Sequence, residues 1–71
     1  MTPRQKADTL ALEFLRDEGP HTMPSPLETV EAIAAAIVFL DLMKEGLVSK
    51  IDFGGGRVQF AITEAGRRRL G

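Results

Sequence analysis

The stretch Leu42–Leu70, LMKEGLVSKIDFGGGRVQFAITEAGRRRL, decides how this chain is read. It opens where an apolar run ends. Gly46 supplies a helix stop, and Lys44 sits favourably beside the negative helix end. Leu47 to Phe53 and Arg57 to Ile62 then flank Gly54-Gly55-Gly56. Val58, Phe60 and Ile62 alternate with Arg57, Gln59 and Ala61, while Ile51 and Phe53 share a face of the other strand. The pattern predicts a half-buried hairpin with a glycine tip. Thr63-Glu64-Ala65-Gly66 then predicts the cap of a short last helix carrying Arg67, Arg68, Arg69 and Leu70.

Two helices are expected upstream. Thr2 can cap the first, Pro3 suits the first helical position, and Gln5 completes a capping box. Ala7, Leu10, Ala11 and Phe14, with Leu15 beside them, recur at helical spacing, opposite Thr9, Glu13 and Arg16. Gly19-Pro20 stops this helix, and His21-Thr22-Met23-Pro24 reads as a loop. Ser25-Pro26-Leu27-Glu28 repeats the start signal. One helix, or two with no marked turn, is expected from Pro26 to Glu45. The order is α-α-β-β-α in a single domain over residues 1–71.

Composition narrows the function. A chain of 71 residues has a small core, and self-association is a natural way to bury more apolar surface. With no cysteine, disulfides and thiolate metal sites are excluded, which fits a reducing cytoplasm. Nine Lys and Arg stand against ten Asp and Glu, a net charge of −1, so nucleic-acid binding would have to come from local patches. No signal peptide is visible, and Ala32–Leu40, the longest apolar run, is too short to span a bilayer. The glycine run lacks a following Lys-Ser/Thr and opens no helix, so it is not a phosphate loop. His21 is the sole histidine, with no second ligand type clustered near it, and no nucleophile has an identifiable base partner. The expectation is a non-enzyme with no cofactor, no metal, no small-molecule substrate and no membrane association.

The Leu42–Leu70 stretch resembles the second half of winged-helix regulators of the MarR and PadR kind. Leu42, Gly46, Leu47, Val48, Phe60, Ile62, Thr63, Gly66 and Leu70 stand where that pattern wants them. The resemblance implies a small α+β winged-helix-like domain with a two-stranded wing and, by the habit of the family, DNA binding. It also implies that the helix before the wing enters the major groove, where Ser, Thr, Arg, Asn or Gln would meet base edges. This chain offers Glu31, Ala32, Ala34, Ala36, Ile37 and Leu40 over that stretch, none able to donate to guanine or adenine. Its helix-turn-helix region is shortened and poor in donors.

A wheel at about 100° per residue places Ala32, Ala35, Ala36, Phe39, Leu42 and Met43 on one arc of the long helix. Val30, Ile33, Ile37 and Leu40 form an adjoining arc, and Glu31, Asp41 and Glu45 a narrow polar strip. A helix apolar nearly all round is normally covered nearly all round. Either the first helix and the hairpin cover both arcs, or Val30, Ile33, Ile37 and Leu40 meet a partner: a second copy or another protein. Lys50, Arg57, Arg67, Arg68 and Arg69 lie on the wing and the last helix. They could contact a phosphate backbone, meet an acidic protein, or form an ordinary solvated face. The leading expectation is a protein-binding module, either a regulator, an accessory subunit or a phage-type inhibitor. The alternative is a small DNA-binding regulator that uses the wing and the C-terminal arginines on duplex DNA.

Overall fold

The computed structural model describes residues 2–23 and 28–71. Its elements are α1 (Pro3–Glu18), β1 (His21–Met23), α2 (Val30–Lys44), β2 (Val48–Gly54), β3 (Arg57–Ile62) and α3 (Glu64–Leu70). The fold is α+β, with three helices on a three-stranded antiparallel sheet of order β1-β3-β2.

Local chemistry sets the helix ends. The Gln5 amide donates to Thr2 Oγ1 at 3.2 Å and the Thr2 amide to Gln5 Oε1 at 2.9 Å, closing the capping box of α1. The Gly19 amide closes that helix on the Leu15 carbonyl at 3.1 Å. Thr29 caps α2, its hydroxyl accepting from the Ala32 amide at 3.0 Å. The long helix therefore starts at Val30 rather than Pro26 and ends at Lys44. Glu28 lies outside it, and Ser25, Pro26 and Leu27 fall outside the described residues. No break interrupts α2 between Val30 and Lys44.

Two strand expectations need correction. His21–Met23 is a strand rather than a loop, pairing with β3 through His21↔Phe60, Thr22↔Gln59 and Met23↔Val58; Pro24 lies outside the described residues. The sheet thus gains a third strand beyond the expected two-stranded wing. Three residues are too few to show a period, and the signal of this strand is the partner edge that β3 offers. Ile51 and Phe53 are also not half-buried. Directly paired residues point to the same side of a sheet. Val48, paired with Ile62, shares the core side with Phe60, whereas Ile51 pairs with Gln59 on the outer side. Phe53 stands at the register shift between Asp52 and Gly54 and is exposed.

The core gathers Leu12, Leu15, Met23, Ala36, Phe39, Leu42, Leu47, Val48 and Phe60. The rings of Phe39 and Phe60 lie 5.0 Å apart, joining α2 to the sheet. In α1 the buried residues are Leu12 and Leu15, whereas Leu10 and Phe14 are exposed. The expected core stripe of α1 is therefore rotated: α3 packs on the Leu12 side, and Leu10 and Phe14 form an outer edge.

Candidate protein-interaction surface

The outer face of α2 is built by helical spacing alone. Ala36, Phe39 and Leu42 are buried, and Ala32, Ala35 and Val38 pack against the core as partly buried neighbours. Val30, Ile33, Ile37 and Leu40 project the other way and remain 79%, 45%, 55% and 36% exposed. Neither α1 nor the hairpin covers them. Lys44 lies within this stripe, exposed and not ion-paired with a described residue, whereas exposed Glu31 lies about 100° round the helix from Val30. Asp41 is engaged elsewhere, for Arg4 binds both Asp8 (3.2 Å) and Asp41 and so ties the start of α1 to the end of α2. The hydrogen bond to Asp8, then that to Asp41, raises the guanidinium above its ordinary pKa.

Beside the stripe runs an apolar groove of about 420 Å³ between α1 and α2. Leu10 and Phe14 border it on one side and Ala34 and Val38 on the other, with Phe39 and His21 at its end. His21 sits edge-on to Phe14 at 5.3 Å and tilted to Phe39 at 6.3 Å, so it completes an aromatic row. Ala34 joins groove and stripe, because it lies between Ile37 and Val38 on the wheel. Sequence reasoning missed Leu10 and Phe14 as surface residues. Their i, i+4 spacing was the available signal, but the same spacing marks a core stripe. Ile51 and Phe53 form a second exposed apolar pair on the outer side of the hairpin.

The basic residues are distributed over β2, β3 and α3. Arg57 stands at the hairpin tip, paired with Gly54, about 17 Å along β3 from Ile62 at the strand's other end. Arg67, Arg68 and Arg69 are consecutive on α3 and spread over roughly 200° of its wheel. Arg69 lines a shallow pocket with Asp8 and Glu45, so its surroundings include acids. Lys50 is exposed on β2 opposite Phe60. None of the five forms an ion pair with a described residue.

Among the described residues, no group of three His, Asp or Glu side chains is placed to hold a metal ion. No helix there is long and apolar enough to cross a membrane. Comparison of the chain with protein-family models, curated proteins and solved structures finds no match.

Proposed function

We propose that this chain is a non-enzymatic interaction module of winged-helix type that binds protein through the outer face of α2. The observation that carries the reading is the exposure of Val30, Ile33, Ile37 and Leu40 on one continuous helix face. Each large aliphatic side chain covered by a partner would contribute about 1.5–3 kcal/mol. The same face offers no hydrogen-bond donor to a base edge except Lys44 at its end. A helix so equipped suits a polypeptide surface better than a DNA groove. The module would serve as a regulator, an accessory subunit or an inhibitor of a larger machine.

The test is Ile37→Asp. The substitution costs under about 1 kcal/mol in helix propensity, because the site is solvent-facing. The expected result is a native circular-dichroism spectrum with loss of partner capture from the source cell, or loss of the oligomer by light scattering. Unchanged capture together with unchanged mass would end the reading.

The unpaired cations favour a second reading, a DNA-binding regulator that contacts phosphate through Lys50, Arg57, Arg67, Arg68 and Arg69. It predicts duplex binding that falls steeply with salt and weakens in Arg67→Ala and Arg68→Ala. Absence of any mobility shift at low salt would rule it out. Digesting nucleic acid in a parallel capture experiment separates the two readings.

A further inference from the structure

We infer that the free edge of β2 pairs antiparallel with the same edge of a second copy, in the register that sets Lys50 against Asp52. This surface is separate from the outer face of α2, and the inference goes beyond the reading of that face. β1 and β2 are the two edges of the sheet, and β1 is only three residues long. β2 is the long edge. Its residues Ser49 to Gly54 are all exposed, so no described element covers either side of the strand there.

Hydrogen-bond parity identifies the main-chain groups that this edge offers. The Thr63 amide bonds the Leu47 carbonyl at 3.1 Å, continuing the register in which Val48 pairs with Ile62. Hydrogen-bonded and non-hydrogen-bonded pairs alternate along an antiparallel ladder. Ser49↔Ala61 and Ile51↔Gln59 are therefore the hydrogen-bonded pairs, and the amides and carbonyls of Lys50 and Asp52 point away from β3. Beside these free donors and acceptors stand the exposed side chains of Ile51 and Phe53.

Charge selects the occupant. Lys50 and Asp52 lie on one side of the strand and Ile51 on the other. A fitting antiparallel strand places an acid opposite Lys50, an apolar residue opposite Ile51 and a base opposite Asp52. Read in its own direction, that strand runs base, apolar, acid, which is Lys50-Ile51-Asp52 itself. Slipping by two residues either way sets Lys50 against Lys50 or Asp52 against Asp52, and like charges directly opposite oppose pairing. A lysine normally blunts an edge, but this register gives it a carboxylate. Asp52 Oδ1 accepts from the Gly54 amide at 2.8 Å, which leaves Oδ2 for the ammonium of the second copy. The two-fold axis then passes between the two Ile51 residues, a non-hydrogen-bonded pair whose side chains approach closely. Phe53 falls diagonal to Ile51 of the second copy, within reach of it.

The shared strip is about five residues, or ~17 Å, on each side, so the pair is weak and concentration-dependent. In sedimentation from about 1 µM to 1 mM the chain should approach twice its 7.7 kDa mass. Lys50→Pro removes an amide that faces away from β3, so it should abolish the dimer and keep a folded circular-dichroism spectrum. Lys50→Glu, which leaves the backbone untouched, should weaken the dimer roughly 3- to 10-fold. The chain has no cysteine, so oxidised single-cysteine variants report the register. Ile51→Cys should link to its own mate, whereas Ser49→Cys lies ~14 Å from its mate, beyond disulfide reach, and should not. Ile37→Asp should leave both the mass and the Ile51→Cys link unchanged. A wild-type chain monomeric throughout, self-linking of Ser49→Cys, or a dimer that survives Lys50→Pro would each overturn the proposal. Loss of the dimer in Ile37→Asp would overturn it as well and move self-association to α2. A monomeric wild type that still loses a captured partner on Ile37→Asp would refute the edge pairing and leave the protein-binding reading of α2 standing.

Discussion

At the scale of single residues, the motif that suggested a winged helix is a structural clasp. Gly46 takes φ +78°, its amide bonding the Met43 carbonyl and the Leu47 amide bonding the Leu42 carbonyl, which together form a left-handed helix stop. The Thr63 hydroxyl then donates to the Gly46 carbonyl at 2.7 Å and accepts from the Gly66 amide at 3.1 Å. The Thr63 amide bonds the Leu47 carbonyl at 3.1 Å. One threonine thus joins the α2 stop, the end of β3 and the start of α3. Gly66 permits the contact, because a Cβ there would lie 2.3 Å from the Leu47 carbonyl oxygen and 2.7 Å from Ile62 Cγ1. Gly66→Ala should therefore destabilise the fold by about 1–3 kcal/mol in denaturant titration. The ordinary helical gain of ~1 kcal/mol on replacing glycine by alanine cannot offset a clash with backbone. A stabilised Gly66→Ala protein would contradict this packing. The residues that carry the winged-helix resemblance are accounted for by this joint and by the core, so their presence does not argue for DNA contact.

At the scale of elements, α1 and α2 divide their apolar residues between an inner and an outer side. In α1, Leu12 and Leu15 are buried and Leu10 and Phe14 are exposed. The difference is measurable. Leu15→Ala should cost about 2–5 kcal/mol, as expected for a leucine 1% exposed. Leu10→Ala should change the unfolding free energy of the monomer by less than about 1 kcal/mol. Equal losses at the two positions would mean that Leu10 is covered within the chain. In α2 the wheel is legible because its 15 residues span four turns, and a period needs length to be seen. The three residues of β1 have no such length, and the sequence pattern around them reads as a loop.

At the scale of the whole molecule, a chain of 71 residues has few elements with which to cover two faces of an apolar helix. No polar or charged side chain among the described residues is buried, so the interior is spent entirely on apolar packing. Self-association through the α2 face would link folding to association, since anything that binds only the native state raises its apparent stability with concentration. Thermal midpoints of the wild-type chain would then rise as protein concentration rises, and this dependence would vanish in Ile37→Asp. A midpoint independent of concentration in both proteins would break the link between the α2 face and self-association.

What the sequence determined by itself is what depends on neighbours a few residues away. It set the capping box at Thr2 and Gln5, the stop at Gly46, the Gly54–Gly56 tip, the cap at Thr63 and the two-sided wheel of α2. Each is a matter of backbone geometry or helical period, written within one turn or one hairpin. The tertiary structure alone decided which apolar residues would be left uncovered. That outcome depends on the packing of α3 at Leu12, on the pairing of β1 with β3, and on the number of neighbours a short chain can supply. Val30 and Leu42 are equally apolar as letters; only the assembled core separates the one at the surface from the one at its centre.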